Sequence, residues 1–219
     1  MRRVADHYTI AGGGAAPSLE QMADDMGRAA VLRETDMIAT LFSSVSASVG
    51  TSGVDMSVDD FYSAIYTLIQ ASAPGPYVAV LAEIQVTDLM ASLRSEGQAL
   101  VPEDGSSLLS EASMAPGYGR VGSFGRVDVY KCDSAPSAGG NRSGAMFARP
   151  WAGWMDGIPM EAAKHANPGT VITQIQNGSK VLVEYARDPE SGNTKIVGSL
   201  FFGVSEIIGG AAVKIVTDA

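Results

Sequence analysis

The sequence predicts an α+β fold, in which helices dominate the first half of the 219-residue chain and strands dominate its last third. Three observations support this prediction. Apolar residues recur at helical spacing over a long stretch that begins at Ser18. A second helix, a short apolar strand and a third helix then follow between Ser57 and Leu93. Near the C-terminus, two long strand-like runs flank a Pro- and Gly-containing turn at residues 188–192.

The first helix is predicted to begin at Ser18, which matches a capping box with Gln21. In that motif, each of the two side chains satisfies a backbone N–H group of the first turn. The apolar positions of the helix are Leu19, Met22, Met26, Ala29, Ala30, Met37, Ile38, Leu41, Phe42 and Val45. One long helix explains the whole pattern, whereas two shorter helices broken near Gly27 or Arg33 are the alternative.

The next block predicts a layered α/β core. Ser57 is a typical N-cap for a second helix, and Asp59 and Asp60 suit the positive end of its dipole. This helix has an apolar face of Val58, Phe61, Ile65, Leu68 and Ile69. Residues 74–76, Pro-Gly-Pro, end it, and the apolar run 77–82 predicts a strand covered on both faces. A third helix follows, with apolar positions Ile84, Val86, Leu89, Met90 and Leu93.

Loops and strands are predicted beyond this block. Residues 97–119 are irregular, and a loop of such length is usually functional or mobile. Residues 127–130 form a strand, and the small residues at 136–144 predict a loop. The segment 145–148 then resumes apolar structure, and 171–175 is strand-like. A long hairpin of 180–187 and 194–204 and a last short strand at 213–216 complete the chain.

Composition narrows the functional classes. Hydrophobic residues make up 46% of the chain, charged residues 18%, and 25 glycines are present. This composition suits a protein that buries surface against copies of itself, and it equally suits a compact globular domain. The formal net charge of −9 disfavours tight binding of nucleic-acid phosphates, although an acidic wall could still enclose DNA. Cys132 is the only cysteine, and no apolar run is long enough for a membrane span. These features predict a soluble protein made in a reducing cytosol.

Patterns that would indicate catalysis are weak. Gly117, Gly119 and Gly122 match the spacing of a dinucleotide site, but they follow a loop and lead into a strand. His7 and His165 lie beside no recognisable nucleophile motif. Helix-end electrostatics explain the first two of three acidic pairs, Asp24-Asp25, Asp59-Asp60 and Glu103-Asp104. We therefore expect no catalytic residue, cofactor or metal ligand.

Two tryptophans, Trp151 and Trp154, follow Pro150. They could anchor an interface between subunits or pack within one subunit, and the sequence does not separate these roles.

From Val49 onward the chain resembles the major capsid proteins of tailed bacteriophages, whose fold is named after phage Hong Kong 97. The resemblance rests on several short stretches in a fixed order: Val49-Gly50-Thr51 to Ser57, the helix with Phe61 and Leu68, Ala73 to Leu81 with Gln85, Gly125 to Tyr130, Gly144 to Ala148, Val183 to Asp188, Phe202-Gly203-Val204, and Val213 to Ala219. Taken together, the match covers most of residues 18–219.

The resemblance implies two domains and an N-terminal extension. Residues 18–56 and 151–206 would form a peripheral domain with the spine helix and the long hairpin. Residues 57–150 and 207–219 would form a layered α/β axial domain. Residues 1–17 would be an N-terminal arm or the remnant of an extended loop.

The resemblance also implies where subunits meet. The hairpin tip would contact neighbouring capsomers near three-fold positions, and the loop 99–119 would face the centre of hexamers and pentamers. The expected interface residues are Asp188, Pro189, Glu190, Ser191, Gly192, Pro102, Glu103, Asp104 and Gly105.

The implied function is self-assembly into hexamers and pentamers of an icosahedral head that encloses double-stranded DNA without sequence-specific binding. The protein would be assembled in the host bacterial cytoplasm, with scaffolding, portal and decoration proteins as candidate partners and no membrane contact. An encapsulin-like nanocompartment shell is the nearest alternative. A small α/β nucleotide-binding enzyme and a tail or head-completion protein are more distant ones.

Overall fold

Three helices are present in the part of the chain that the structure describes. A computed structural model describes residues 8–9, 19–97, 119–157, 171–174, 180–187 and 194–218. The helices within these ranges are Leu19–Ser44 (α1), Val58–Gln70 (α2) and Glu83–Ser95 (α3). α1 is continuous through Gly27 and Arg33, so the prediction of one long helix is confirmed. Ser18, its predicted cap, lies outside the described residues.

Strands form most of the remaining regular structure in these ranges. Their bounds are Tyr8–Thr9 (β1), Ser48–Val49 (β2), Tyr77–Leu81 (β3), Gly119–Phe124 (β4), Val127–Lys131 (β5), Ser137–Ala138 (β6), Asn141–Ala148 (β7), Ala152–Asp156 (β8), Val171–Gln174 (β9), Lys180–Arg187 (β10), Thr194–Leu200 (β11), Phe202–Glu206 (β12) and Ala212–Asp218 (β13). The predicted strands at 77–82, 127–130, 171–175 and 213–216 are therefore present, with shifts of one or two residues at their ends.

The chain forms two compact units, each built from two segments. The first unit comprises Met1–Thr35 and Trp154–Val204, and the second comprises Asp36–Gly153 and Ser205–Ala219. The division within α1 falls at Thr35, whereas the resemblance groups residues 18–56 in one domain. The second half of α1 belongs to the second unit because its buried side chains Ala39 and Phe42 pack in that unit's core.

The first unit contains an antiparallel sheet in the order β1-β11-β10-β9. β10 and β11 form the long hairpin, with a register that runs from Arg187 opposite Thr194 to Val181 opposite Leu200. The predicted return strand 194–204 is wrong in one respect, because it is interrupted at Phe201. The carbonyl of that residue accepts a hydrogen bond from the backbone N–H of Gly157 at 3.1 Å. β12 then pairs with β8 in a separate two-stranded sheet.

The second unit is built on a mixed seven-stranded sheet in the order β2-β13-β7-β3-β5-β4, with β6 paired to β7. β3 is parallel to β5 and β13 is parallel to β2, while the other neighbours are antiparallel. β7 and β3 occupy the middle of this order. β13, which comes last in the chain, therefore lies inside the sheet and brings the C-terminal segment into the core.

Helices cover both faces of this sheet. α2 and α3 bury one face through a core that includes Phe61, Leu68 and Leu89. The second half of α1 packs on the opposite face, where Phe42 and Trp151 belong to a separate core cluster. Such a layered arrangement buries both apolar faces of the sheet against helices. The predicted layered α/β core is confirmed.

The start of α2 follows the sequence prediction. The backbone N–H of Asp60 donates to Ser57 Oγ at 3.2 Å, and Ser57 N donates to Asp60 Oδ2 at 3.0 Å. This reciprocal pair is a capping box, which satisfies two otherwise orphaned donors. The acidic residue thus has a structural role at the helix end.

Residues 136–144 are not a loop, as the small residues there predicted, but a hairpin of β6 and β7. Gly139 and Gly140 have φ values of +62° and +79° and connect the two strands directly. A two-residue turn with both φ angles positive requires residues such as glycine. Gly139 and Gly140 in the sequence therefore indicate a tight turn between two strands.

Candidate functional site

Both groups of predicted interface residues lie outside the described residues. Asp188 to Gly192 follow the last described pair of the hairpin, Arg187 opposite Thr194. Pro102 to Gly105 lie between Gly97, just after α3, and Gly119, where β4 begins. The roles of these nine residues in subunit contacts stay predictions.

The glycine pattern does not have the geometry of a dinucleotide site in its described part. Gly119 and Gly122 lie within β4, and β4 turns directly into β5. A pyrophosphate site needs the glycines at the N-terminus of a helix, where backbone N–H groups point at the phosphates. Gly117 lies outside the described residues. The arrangement at Gly119 and Gly122 gives no support to nucleotide binding.

The two tryptophans have different environments. Trp151 is 2% exposed, and its ring centroid lies 5.0 Å from that of Phe147 and 6.2 Å from that of Phe42. Its indole Nε1 donates a hydrogen bond to Glu206 Oε1 at 3.1 Å. Trp151 therefore packs within the subunit. Trp154 is 44% exposed and is available at the surface of the first unit.

Three carboxylates that are distant in the sequence lie near one another in the second unit. Burial raises the pKa of Asp88 from its ordinary value, and the nearby charge of Asp55 and, to a smaller extent, that of Asp218 act in the same direction. A hydrogen bond with the backbone of Met56 opposes them. Sequence reasoning missed this group because its members belong to a loop, a helix and a terminal strand.

Other candidate residues show no catalytic arrangement in the described part of the chain. Cys132 is buried, and burial raises the pKa of its thiol, which disfavours the reactive thiolate. No group of three His, Cys, Asp or Glu side chains suited to a metal occurs among the described residues. None of the described helices is long and apolar enough to cross a membrane. His7, His165, Glu103 and Asp104 lie outside the described residues.

An aromatic surface on α2 is the main feature that the sequence pattern did not predict. Tyr62, Tyr66 and Ile69 are 45%, 61% and 57% exposed, although Ile69 was predicted to lie on the buried face. The ring centroid of Tyr62 lies 5.4 Å from that of Phe124. Tyr62 and Tyr66, together with Asp59, Ser63 and Thr67, line a shallow groove. Spacings of three and four residues place these side chains on one side of the helix.

Sequence comparison gives no assignment. No protein-family model matches the chain, and a search of curated proteins finds no match.

Solved structures, in contrast, match over nearly the whole chain. A chain from Mycobacterium phage Che8 aligns with a TM-score of 0.62 and 17% identity, covering 98% of this chain and 70% of that one. The capsid of cyanophage P-SCSP1u aligns with a TM-score of 0.59 and 12% identity, covering 98% and 72%. The chain has the capsid fold named after phage Hong Kong 97.

The Hong Kong 97 fold also occurs outside phages. The holo encapsulin complex of Synechococcus elongatus aligns with a TM-score of 0.62 and 13% identity, covering 99% of this chain and 73% of that one. The predicted fold class is therefore confirmed. Identities of 12% to 17% establish the fold alone.

Proposed function

We propose that this chain is the major capsid protein of a tailed bacteriophage, a structural protein and not an enzyme. Copies of the chain assemble into hexamers and pentamers, which form an icosahedral head around double-stranded DNA. The observation that carries the proposal is the fold, which matches the capsid of cyanophage P-SCSP1u over 98% of the chain. The resemblance in sequence order from Val49 onward supports the same assignment.

The chemistry of the chain agrees with a container for DNA. Its 24 acidic and 15 basic residues give a net charge of −9. A negatively charged inner surface repels the phosphates of DNA and therefore does not bind the DNA at fixed sites. The packaged DNA remains free to enter and leave. Packaging would then depend on partners, namely portal, scaffolding and decoration proteins, in the cytoplasm of the host bacterium.

The two compact units provide candidates for the two domains of a capsid subunit. The first unit, with the first part of α1 and the long hairpin, would be the peripheral domain. The second unit, with the seven-stranded sheet, would be the axial domain. The hairpin tip at 188–192 would contact neighbouring capsomers, and the segment that contains Pro102 to Gly105 would surround the capsomer axis. Heterologous contacts repeated around such an axis close into rings.

An encapsulin-like shell is the second candidate function. It is favoured by the structural match to the Synechococcus elongatus encapsulin complex, whose TM-score of 0.62 equals that of the phage Che8 chain. Such a shell would enclose protein cargo in place of DNA. The acidic character of the chain is compatible with either content, so the distinction requires an experiment.

Electron microscopy of the whole purified chain, combined with light scattering after size exclusion at several salt concentrations, tests the proposal. We expect closed shells, or hexamers and pentamers, and their diameter would constrain the number of subunits. A chain that stays monomeric at high concentration would contradict both shell functions. Particles recovered from infected cells should contain nuclease-protected DNA. A stoichiometric protein cargo without DNA would instead identify an encapsulin-like compartment.

A further inference from the structure

We propose that the aromatic surface of α2, together with the turn between β4 and β5, is a contact surface for a second copy of this chain. We call Tyr62, Tyr66, Ile69 and Arg126 the α2 patch. The inference rests on the proposed shell function. It assigns these four described residues to a contact between two subunits.

Exposed apolar side chains form the centre of the α2 patch. Tyr62, Tyr66 and Ile69 recur at intervals of four and three residues, so they form one stripe along α2. The neighbouring side of this helix is fully buried at Phe61 and Leu68. Tyr62 is partly covered by Phe124, whose ring centroid lies 5.4 Å away, whereas Tyr66 and Ile69 stay 61% and 57% exposed. Tyrosine and arginine are the residue types that are enriched at the energetic centres of protein interfaces.

Backbone strain at Arg126 is a second, independent observation. Gly125 and Arg126 occupy the two-residue turn between β4 and β5, with φ values of +57° and +67°. Glycine is the preferred residue at such positions, and a side chain there carries a steric cost. Glycine would occupy the second position with less strain than arginine. The exposed side chain of Arg126 at this position therefore indicates a role outside the turn.

The turn is fixed beside the aromatic stripe. A Cβ placed on Gly125 would lie 3.4 Å from Ile65 Cδ1 and 3.9 Å from Tyr62 Cε1. The turn backbone therefore packs on α2, and Arg126 follows it directly in the chain. The α2 patch thus combines two phenol rings, an aliphatic side chain and a cation on one surface of the second unit.

The size of the patch indicates the kind of contact. Tyr62, Tyr66 and Ile69 together expose roughly 300 Å² of side chain, judged from the full areas of such residues. A stable isolated pair of proteins buries about 800 Å² on each partner. This patch alone is too small for a stable dimer. It suits an array in which each subunit makes several weak contacts that act together.

The chemistry of the patch favours a copy of the chain over other occupants. Asp59 lines the same groove as the two tyrosines, which disfavours DNA phosphates. The groove is shallow, whereas small molecules bind in concave sites. The chain carries 24 acidic residues, so another copy offers carboxylates that can pair with the guanidinium of Arg126. Such a local ion pair fixes the register of a contact.

Cysteine footprinting of the whole chain tests the contact directly. Cys132 is the only cysteine and is 4% exposed, so a Tyr66→Cys variant presents one accessible thiol. Its rate of maleimide labelling is measured in assembled and unassembled fractions. We expect the labelling rate at this position to be at least tenfold lower in the assembled fraction. An Ala91→Cys variant, on the exposed side of α3, is the matched control, and assembly should lower its labelling rate less than twofold.

Each other outcome of the footprinting overturns the inference. Equal labelling rates in both fractions would show that the patch stays exposed in the shell. Slow labelling in both fractions would show that the chain's own residues cover it. Equal protection of the Ala91→Cys control would show that the α2 patch is not the specific contact. A wild-type chain that does not assemble would instead contradict the proposed function.

An Arg126→Gly variant separates assembly from folding. Glycine relieves the positive φ, so the subunit should have an unchanged or higher Tm. We expect the protein concentration needed for assembly to rise at least tenfold, measured by light scattering. Assembly at the wild-type concentration would overturn the role of Arg126. A lowered Tm would show that the arginine stabilises the subunit itself, which would also overturn that role.

Discussion

Gln85 Nε2 donates a hydrogen bond to Thr217 Oγ1 at 2.9 Å, although 132 positions separate the two residues in the chain. The same nitrogen lies 3.1 Å from the carbonyl oxygen of Ile215, and Gln85 Oε1 accepts from Ala82 N at 3.0 Å. The Gln85 side chain is fully buried. This one amide therefore connects the first turn of α3 to β13, within the core of the second unit. A buried polar group of this kind stabilises the fold only while all its partners are present.

Replacing Gln85 with leucine should destabilise the second unit strongly. The substitution leaves the backbone N–H of Ala82 and the hydroxyl of Thr217 without this partner in the core. We expect the free energy of unfolding to fall by about 2–4 kcal/mol. Urea unfolding of the unassembled chain, followed by circular dichroism, measures it. A Thr87→Ala variant on the exposed side of α3 should change it by less than about 0.5 kcal/mol. A similar small change for Gln85→Leu would contradict the argument.

Gln85 also illustrates what the sequence pattern could and could not predict. The apolar spacing placed Ile84 on the buried face of α3, yet Ile84 is 39% exposed and the polar Gln85 is 0% exposed. A polar residue in a core has no signature in a hydrophobic pattern, and the partners of Gln85 on β13 lie 130 and 132 positions away. The helices and β3 were predictable because their signals are local.

Short strands escaped prediction for a related reason. No pattern predicted β2, and its two residues pair with Lys214 and Ile215 far along the chain. Such a strand exists only because β13 offers it a partner. The α2 patch was missed because Ile69 continues the apolar pattern of the buried face and only the packed structure separates the two sides. The predicted contacts at 188–192 and 102–105 lie outside the described residues.

Gly50 and Gly53 provide a matched pair of positions with positive φ. Their φ values are +84° and +76°, but a Cβ on Gly50 would lie 2.3 Å from the carbonyl oxygen of Val216, whereas one on Gly53 meets no atom within 4 Å. We expect Gly53→Ala to cost about 1–2 kcal/mol through backbone strain alone. Gly50→Ala should cost at least about 1 kcal/mol more, because β13 must move. Equal losses in urea unfolding would show that the close approach to Val216 is unimportant.

Asp88 should make stability depend on pH. Burial, followed by the charge of Asp55, raises the pKa of Asp88, so the folded chain binds this proton more tightly than the unfolded chain. The resulting stabilisation is complete below the ordinary value of 3.8 and is lost as pH rises through the raised pKa. An Asp88→Asn variant cannot ionise. We expect its Tm to exceed that of the wild type at pH 7, and the difference to shrink as the pH approaches about 4.

The control for this prediction is Asp55→Asn, which removes one cause of the raised pKa of Asp88 and keeps the carboxyl itself. Its gain in Tm at pH 7 should have the same sign and be smaller, because burial is the larger cause. Calorimetry from about pH 4 to pH 8 measures both variants. A gain for Asp88→Asn that grows on acidification would have the wrong sign for a raised pKa.

The second half of α1 should contribute its stabilising contacts to the sheet of the second unit. Phe42 is 2% exposed, and its ring centroid lies 6.2 Å from those of Phe147 and Trp151. Phe42→Ala should therefore lower the free energy of unfolding by about 3–5 kcal/mol. It should also speed hydrogen exchange in β7 and β13, since Ala145 and Ala212 belong to the same core cluster. Leu32→Ala, at a 49% exposed position of α1, should cost less than about 0.5 kcal/mol. Faster exchange confined to α1 would show that this helix is not part of the second unit's cooperative core.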